Sequence, residues 1–183
     1  MRDAQFQTFL DLTEQAIAAK AGDSSSIREA AGRIFTALRA SCGERVAATP
    51  RRLPVMDKLE SALAMARHSA CAPLANALAA FEPRFAWSRR PGAEKLGPVF
   101  FDGHANAYLI GPDGLERRSD VWFGVSFMLP GIDYPVHDHA PEEIYVSLAG
   151  GSWWNSQTPW IERRTGELFY NSPGVKHAMA TKS

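Results

Sequence analysis

The stretch HDHAPEEIY, residues 137–145, places two histidines, a glutamate and a tyrosine within nine residues. His137 and His139 are two residues apart, and residues at that spacing on an extended strand point to the same face. Glu143 follows a short Ala-Pro corner, so its side chain can return to the same point. Imidazole nitrogen together with carboxylate oxygen suits a divalent transition metal. The stretch therefore predicts a metal centre, with His177 from a distant segment as a further ligand.

Before residue 84 the sequence has helical periodicity. A line of apolar residues three and four positions apart begins at Ile27, and the serines just before it can cap the helix. Similar lines begin near Phe6, near Leu59 and after Pro73. We therefore predict a helical N-terminal region over residues 1–84.

From residue 85 onward, short runs rich in aromatic and β-branched residues alternate with turn signals. Residues 121–129 and 144–149 are the clearest strands. The GPDG stretch at 111–114 and the pair Gly150-Gly151 are typical of hairpin turns. The pattern predicts an antiparallel barrel or sandwich over residues 85–183, and an α+β protein as a whole.

Composition limits the classes of partner. The chain has 183 residues and a formal net charge of zero, which argues against nucleic acid, because phosphate binding depends on excess Lys and Arg. No stretch approaches the roughly 20 apolar residues of a membrane span. Cys42 and Cys71 form no CxxC pair and fit buried thiols of a reducing compartment. We expect a soluble, cytoplasmic protein, a monomer or homodimer, without nucleic-acid or membrane partners.

The segment around the histidines resembles the cupin family. The first cupin motif is matched in full by Gly131, five residues, the HDH triplet, three residues, Glu143, six residues and Gly150. Gly166 and His177 are spaced like the second motif, although its proline comes one residue late. The resemblance covers about residues 100–183 and implies a double-stranded β-helix, or jelly roll, with a metal inside. Since a cupin usually continues for another strand, the resemblance also implies a barrel truncated at its C-terminal end or completed by another segment.

The tyrosines narrow the resemblance to the cupin-type dimethylsulfoniopropionate lyases of the DddQ and DddL kind, which also carry a helical extension. The residues that carry it are Tyr134, His137, His139, Glu143, Tyr145 and His177. It implies cleavage of dimethylsulfoniopropionate, a small sulfonium carboxylate, to dimethyl sulfide and acrylate. The implied metal ligands are His139, Glu143, His177 and Tyr145. The implied catalytic residues are Tyr145, Tyr134 and His137, and whether His137 also binds the metal stays open.

This chemistry agrees with the residues. The reaction removes a proton next to a carboxylate, and a Lewis-acidic cation bound to that carboxylate stabilises the developing charge. A phenol has a pKa of about 10, so a tyrosine base needs a nearby cation. We expect Tyr145 as the base, Tyr134 as the rival base or an orienting group, and one divalent transition metal. Zinc or iron comes first, with manganese, cobalt or nickel as alternatives.

Aromatic faces bind methylated cations. One or two of the aromatic side chains in the second half are expected to contact the sulfonium, and the candidates are Trp122, Phe127, Trp153, Trp154, Trp160, Phe169 and Tyr170.

Two other functions compete with the lyase. An iron-dependent dioxygenase acting on a small acid uses similar ligands, and a cupin can also bind a small ligand without turning it over. The tyrosine pair favours proton abstraction, because oxygen activation needs no phenolic base. Elsewhere, His68 and His104 lack a metal context, and Glu142 is interpreted as a solvated neighbour of Glu143.

Overall fold

The computed structural model describes residues 2–182 and begins with helices. The helices are α1 (Ala4–Lys20), α2 (Ser25–Ala40), α3 (Leu59–Arg67), α4 (Ala72–Phe81) and α5 (Pro98–Gly103), with short 3-10 helices at Pro54–Lys58, Glu82–Arg84 and Ala93–Leu96. The Ser24 side chain caps α2 by accepting the Ile27 N–H at 3.4 Å. The four predicted helices are confirmed, whereas α5 was not predicted. Across residues 2–182, no helix has the length and apolar character that crossing a membrane requires.

Within residues 2–182, ten strands follow or flank the helices. They are β1 (Glu44–Arg45), β2 (His104–Gly111), β3 (Glu116–Arg117), β4 (Phe123–Met128), β5 (Asp133–His137), β6 (Glu143–Val146), β7 (Gly151–Asn155), β8 (Thr158–Arg163), β9 (Leu168–Asn171) and β10 (His177–Ala180). One sheet has the order β1-β3-β2-β4, a second β5-β10-β7-β8, and a third pairs β6 with β9. All pairs but β2–β3 are antiparallel, so the mixed helical and antiparallel class is confirmed.

Both hairpin predictions are wrong. GPDG does turn the chain, but β3 runs parallel to β2 and pairs antiparallel with β1, while the antiparallel neighbour of β2 is β4. Gly150-Gly151 does not join paired strands either, because β6 pairs with β9 and β7 with β8 and β10. In both places long-range pairing overrides the local turn signal.

The helices share one hydrophobic core with the sheets. The larger cluster joins residues of α1, α3 and α4 to β2 and β4, and Phe9 meets Phe123 edge-on at 5.6 Å between ring centroids. A smaller cluster lies among the strands, and its buried members are Ala93, Phe100, Ile132, Tyr134, Trp153, Phe169 and Met179. The boundary placed after residue 84 stays a prediction, since the larger cluster runs across it.

The two cysteines are free thiols. Cys71 is buried, as expected, but Cys42 is exposed just after α2, so the prediction of two buried thiols is wrong for Cys42.

A bulge in β5 determines which residues face inward. His137 lies opposite His177 and Tyr134 opposite Met179, so three steps along β5 match two along β10. The extra residue restores a common face for Tyr134 and His137, which a regular strand would point to opposite sides. Their ring centroids are 5.1 Å apart.

Candidate metal centre

Three histidines from two distant segments meet at the ends of β5 and β10. His137 is the last residue of β5 and lies directly opposite His177, the first residue of β10. His139 lies in the loop beyond β5, where the Gly174 N–H donates to its carbonyl at 3.0 Å. One nitrogen from each ring lies within 4.8 Å of the others, so the three histidines can hold a metal ion. The predicted meeting of residue 177 with the HDH stretch is confirmed.

Each of the three rings is held in one tautomer by the backbone. The Nδ1 atoms face the carbonyls of Pro135 at 2.9 Å, Pro141 at 2.8 Å and Val175 at 2.9 Å. A carbonyl can only accept, so each Nδ1 carries the proton and each neutral ring keeps a lone pair on Nε2. Ligating histidines characteristically donate their second nitrogen in this way, which orients the ring.

Glu143 places a carboxylate among these lone pairs. Its Oε1 lies 2.9 Å from Nε2 of His177, and its Oε2 lies 3.2 Å from Nε2 of His139. Nε2 of His177 is buried without a hydrogen-bond partner. Lone pairs this close repel unless a proton or a cation lies between them. A donor set of neutral imidazoles and one carboxylate fits a divalent transition metal.

The electrostatics of the site keep Glu143 charged. Burial works to raise the pKa of Glu143, but the close imidazoles of His139 and His177, which favour the charged carboxylate when they are protonated, and the hydrogen bond from Asn171 outweigh it and hold the pKa well below its usual range. The Glu143 carboxylate in turn raises the pKa of His139. Burial lowers the pKa of His137, which favours the neutral ring that binds metals.

The two predicted tyrosines lie beside the centre, with the Tyr134 ring centroid 5.1 Å from that of His137. Tyr145 shares a face of β6 with Glu143, two residues away, and its ring lies 6.4 Å from that of Trp153. Tyr134 is buried, and its hydroxyl accepts a hydrogen bond from Asn106 at 3.4 Å. Burial, followed by the negative charge of Glu143, raises the pKa of Tyr145 well above that of a free phenol. Burial also raises the pKa of Tyr134.

The aromatic candidates for a sulfonium contact fall into two groups, those in the inner cluster with the tyrosines and those elsewhere. Trp153 and Phe169 belong to the inner cluster with the tyrosines, and their centroids are 6.4 Å apart. Trp154 points the other way and packs on the exposed Trp160. Trp122 is exposed as well, Phe127 belongs to the larger core, and Tyr170 donates to Glu142. The inner pair thus lies in the same cluster as the two tyrosines.

Sequence reasoning missed two asparagines beside the carboxylate. Asn171 donates its amide N–H to Oε1 of Glu143 at 2.8 Å, and Asn155 donates to Asn171 at 3.0 Å. Asn155 is the last residue of β7 and Asn171 the last of β9, and both are buried. The only available signal was an asparagine closing a strand, which on its own is more typical of a turn.

The interpretation of Glu142 as a solvated residue is wrong. Its side chain is 19% exposed and accepts from Arg33 of α2 at 2.8 Å and from the Tyr170 hydroxyl at 2.8 Å. The helical region thereby contacts the residue next to Glu143. No local sequence pattern could reveal this ion pair, because Arg33 and Glu142 are 109 residues apart.

His104 and His68 lie outside the centre, as expected. His104 is buried, donates from Nδ1 to the Phe100 carbonyl at 2.5 Å and accepts the Arg90 N–H at 3.0 Å. Both of its nitrogens are therefore satisfied by the backbone. His68 is an exposed residue at the end of α3.

The chain is similar in sequence to a known protein family and to one of its curated members. A family model described as dimethylsulfoniopropionate (DMSP) lyase matches residues 26–183. The curated DMSP lyase DddQ of Ruegeria pomeroyi is 33% identical over 134 residues. The match covers 73% of this chain and 66% of that protein, so the chain spans slightly less than two thirds of this relative.

Two crystal structures resemble the whole chain. DMSP lyase DddQ from Ruegeria pomeroyi has a TM-score of 0.72 at 24% identity, and the match covers 100% of this chain and 87% of that one. A chain from the structures of DMSP lyases RdDddP and RnDddQII has a TM-score of 0.69 at 24% identity, covering 98% and 87%. At this identity the likeness shows the fold, and it confirms the predicted cupin-type architecture.

Proposed function

The chain belongs to the dimethylsulfoniopropionate lyase family, and from this membership we propose that it cleaves DMSP to dimethyl sulfide and acrylate with the help of a divalent transition metal. The observation that carries the proposal is the centre itself. Three imidazoles with unprotonated Nε2 atoms converge, two of them contact the Glu143 carboxylate, and a buried and a partly buried phenol lie beside them.

The residues that would hold the metal are His137, His139, His177 and Glu143. The inclusion of His137 extends the set expected from the family resemblance, because its ring nitrogen lies within the same 4.8 Å cluster. Tyr145 is an additional ligand or the base. When bound, the cation supplies Lewis acidity to the substrate carboxylate and favours the ionised form of a nearby phenol. Zinc and iron head the list, with manganese, cobalt and nickel as alternatives.

The reaction is a β-elimination. A tyrosinate, Tyr145 in our assignment, accepts the proton from the carbon next to the substrate carboxylate. The electrons of that C–H bond form the carbon–carbon double bond of acrylate, and the C–S bond breaks with its pair on sulfur. The sulfonium thus leaves as neutral dimethyl sulfide, and the proton remains on the phenol.

The surroundings of the two tyrosines support a requirement for the cation. Burial raises the pKa of both phenols, so neither is ionised at neutral pH through protein groups alone. Trp153 and Phe169 present apolar aromatic walls in the same cluster, and such faces bind methylated cations. The metal is thus needed for ionisation of the tyrosine, and the aromatic wall for binding of the substrate cation.

The test is dimethyl sulfide release into the headspace from purified chain, with and without a chelator, in air and without dioxygen. We expect release that the chelator abolishes, that added metal restores and that dioxygen does not affect. Release that stops without dioxygen would favour an oxygenase, and no turnover despite substrate binding would favour a binding protein.

The base is tested by Tyr145→Phe with Tyr108→Phe as the matched control, since Tyr108 lies 41% exposed on β2. We expect Tyr145→Phe to keep its metal and to lose roughly 10²–10⁴-fold in kcat, the usual contribution of a general base. Unchanged activity in this variant, together with its loss in Tyr134→Phe, would move the role to Tyr134.

The expected cytoplasmic location and the monomeric or homodimeric state remain predictions. A cytoplasmic site would match free thiols, which Cys42 and Cys71 are. Fractionation of the producing cells and light scattering of the purified chain test the two statements.

A further inference from the structure

Two buried amides connect Glu143 to the backbone of Gln157, between β7 and β8. The backbone N–H of Gln157 donates to Oδ1 of Asn155 at 3.0 Å. Nδ2 of Asn155 donates to Oδ1 of Asn171 at 3.0 Å, and Nδ2 of Asn171 donates to Oε1 of Glu143 at 2.8 Å. Asn155 is 4% exposed and Asn171 1%. We call this pair of asparagines the amide relay.

The direction of the amide relay is fixed by its first member. A backbone N–H can only donate, so the group of Asn155 that faces Gln157 must be its oxygen. The NH₂ of Asn155 must then face Asn171, whose own NH₂ is left for the carboxylate. Each amide has one orientation that satisfies all three bonds, and the relay ends in a donor aimed at Glu143.

The strand register places the amide relay between the segments that carry the candidate ligands. Asn171 lies opposite Glu143 on the β6–β9 pair, and Asn155 lies opposite His177 on the β7–β10 pair. The two asparagines therefore join a two-stranded sheet bearing the carboxylate to a four-stranded sheet bearing a histidine.

We infer that Asn171, oriented by Asn155, is a positioning residue that holds the Glu143 carboxylate toward the histidines and thereby strengthens metal binding. The inference rests on the metal centre of the proposed function. An amide is neutral, so it fixes the carboxylate by a hydrogen bond without cancelling its charge. An arginine or lysine in the same place would compete with the metal for that charge.

The experiment is a double-mutant cycle on metal affinity. Wild type, Asn171→Leu, Glu143→Gln and the double variant are stripped of metal and titrated with Co²⁺, with calorimetry and the visible absorption of the bound ion as readouts. Loss of an outer partner of a metal ligand typically weakens binding by about 10–100-fold. We expect a loss of this size for Asn171→Leu in the wild-type background, and a changed Co²⁺ spectrum.

In the Glu143→Gln background, where the three histidines still bind the ion, Asn171→Leu should change the Kd by less than about two-fold, because residues that act through one group are not additive. An equal loss in both backgrounds would overturn the inference, since a purely structural asparagine acts whether or not the carboxylate is there. An unchanged Kd for Asn171→Leu would overturn it as well, as would a wild-type chain that does not bind Co²⁺.

Two further variants guard the result. Asn76→Leu makes the same change at an exposed position of α4 and should leave the Kd unchanged. If Asn171→Leu does not fold, Asn155→Ala takes its place, because it removes only the hydrogen bond from Asn155 to Asn171. We expect Co²⁺ binding to become several-fold weaker in this variant, and an unaltered Kd would overturn the inference. Coupling between Asn171 and Glu143 in a chain that releases no dimethyl sulfide would support the positioning role and overturn the lyase.

Discussion

Two carboxylates of this protein, the buried Glu116 and the partly buried Glu143, have opposite surroundings. Glu116, in β3, lies with Arg2 and Arg118, and the side chains of the three are 5–6% exposed. Arg2 contacts both carboxylate oxygens, at 2.5 and 2.8 Å, and the Gly43 N–H adds a third bond at 2.9 Å. We call these four residues the Glu116 cluster. Glu143 meets two imidazoles and an amide instead.

The two carboxylates differ in what balances their negative charge. In both places burial works to raise the pKa of the carboxyl group, and hydrogen bonds lower it below its ordinary value. The Glu116 cluster supplies its own cations, so it needs no ligand and joins the helical region to the sheet. The partners of Glu143 are two histidines and an asparagine, which carry no charge while the histidines are neutral. The negative charge of Glu143 therefore has to be balanced by a proton or by a bound ion. The same substitution at the two positions should therefore have opposite consequences.

The largest effect is expected for Glu143→Gln. The amide cannot replace an anionic ligand, so Co²⁺ affinity should fall by about 100-fold or more. Loss of a residue that only orients a metal ligand already weakens binding by up to about 100-fold, and loss of a ligand itself should weaken it at least as much. The metal-free protein should lose less stability than Glu116→Gln does, because an amide N–H can still donate to a histidine lone pair. Calorimetric titration and thermal unfolding of the metal-free form measure both. Unchanged Co²⁺ affinity would show that Glu143 is not a ligand.

Glu116→Gln should destabilise the fold without altering the centre. Removing one partner of a buried ion pair leaves an uncompensated charge, here Arg2, since Arg118 keeps its ion pair with Asp120, and typically costs about 3–5 kcal/mol. Urea unfolding of both variants in the metal-free state gives the comparison. A loss of Co²⁺ affinity at constant stability would contradict the separation of the two sites.

The Glu116 cluster should also contribute to acid sensitivity. The folded pKa of Glu116 is depressed, so its contribution to stability is present above the unfolded pKa of about 4.3 and is lost as the pH falls through the folded value. The urea midpoint of the wild type should decline below about pH 4.5, and that of Glu116→Gln should decline less steeply. Parallel curves for the two proteins would exclude this role.

The smallest effect is expected for Arg33→Ala, which removes the contact between α2 and Glu142. Arg33 is 58% exposed, and exposed ion pairs contribute little. Co²⁺ affinity should change by less than about five-fold. Tyr170→Phe serves as a partner variant, because its hydroxyl donates to the same carboxylate. A large loss in either would show that the helical region controls the centre.

The sequence predicted the centre better than it predicted the sheets. Spacing indicated that His137, His139 and Glu143 would converge, with His177 as the candidate further ligand, and periodicity predicted the helical region. The family resemblance added the roles of the two tyrosines. Local patterns also located the capped helix after Ser24. These features depend on short-range periodicity or on a motif that is contiguous in the chain.

The failures share one physical cause. The amide relay and the bulge of β5 depend on strands that are distant in sequence, and β3 pairs with the distant β1, so no local signal reports these arrangements. His139 was expected on an extended strand beside His137, but it reaches the centre from a loop held by Gly174. Tyr134 faces inward only because the bulge shifts the alternation of β5.

The strand that carries His177 lies between β5 and β7 in the middle of its sheet. It cannot leave without breaking hydrogen bonds on both edges and removing an imidazole from the centre. Cation occupancy and the docking of this strand are therefore linked equilibria, and each must favour the other to the same degree. Metal content would then govern how often this part of the sheet opens to solvent, and amide exchange in residues 177–180 would slow as the ion is added.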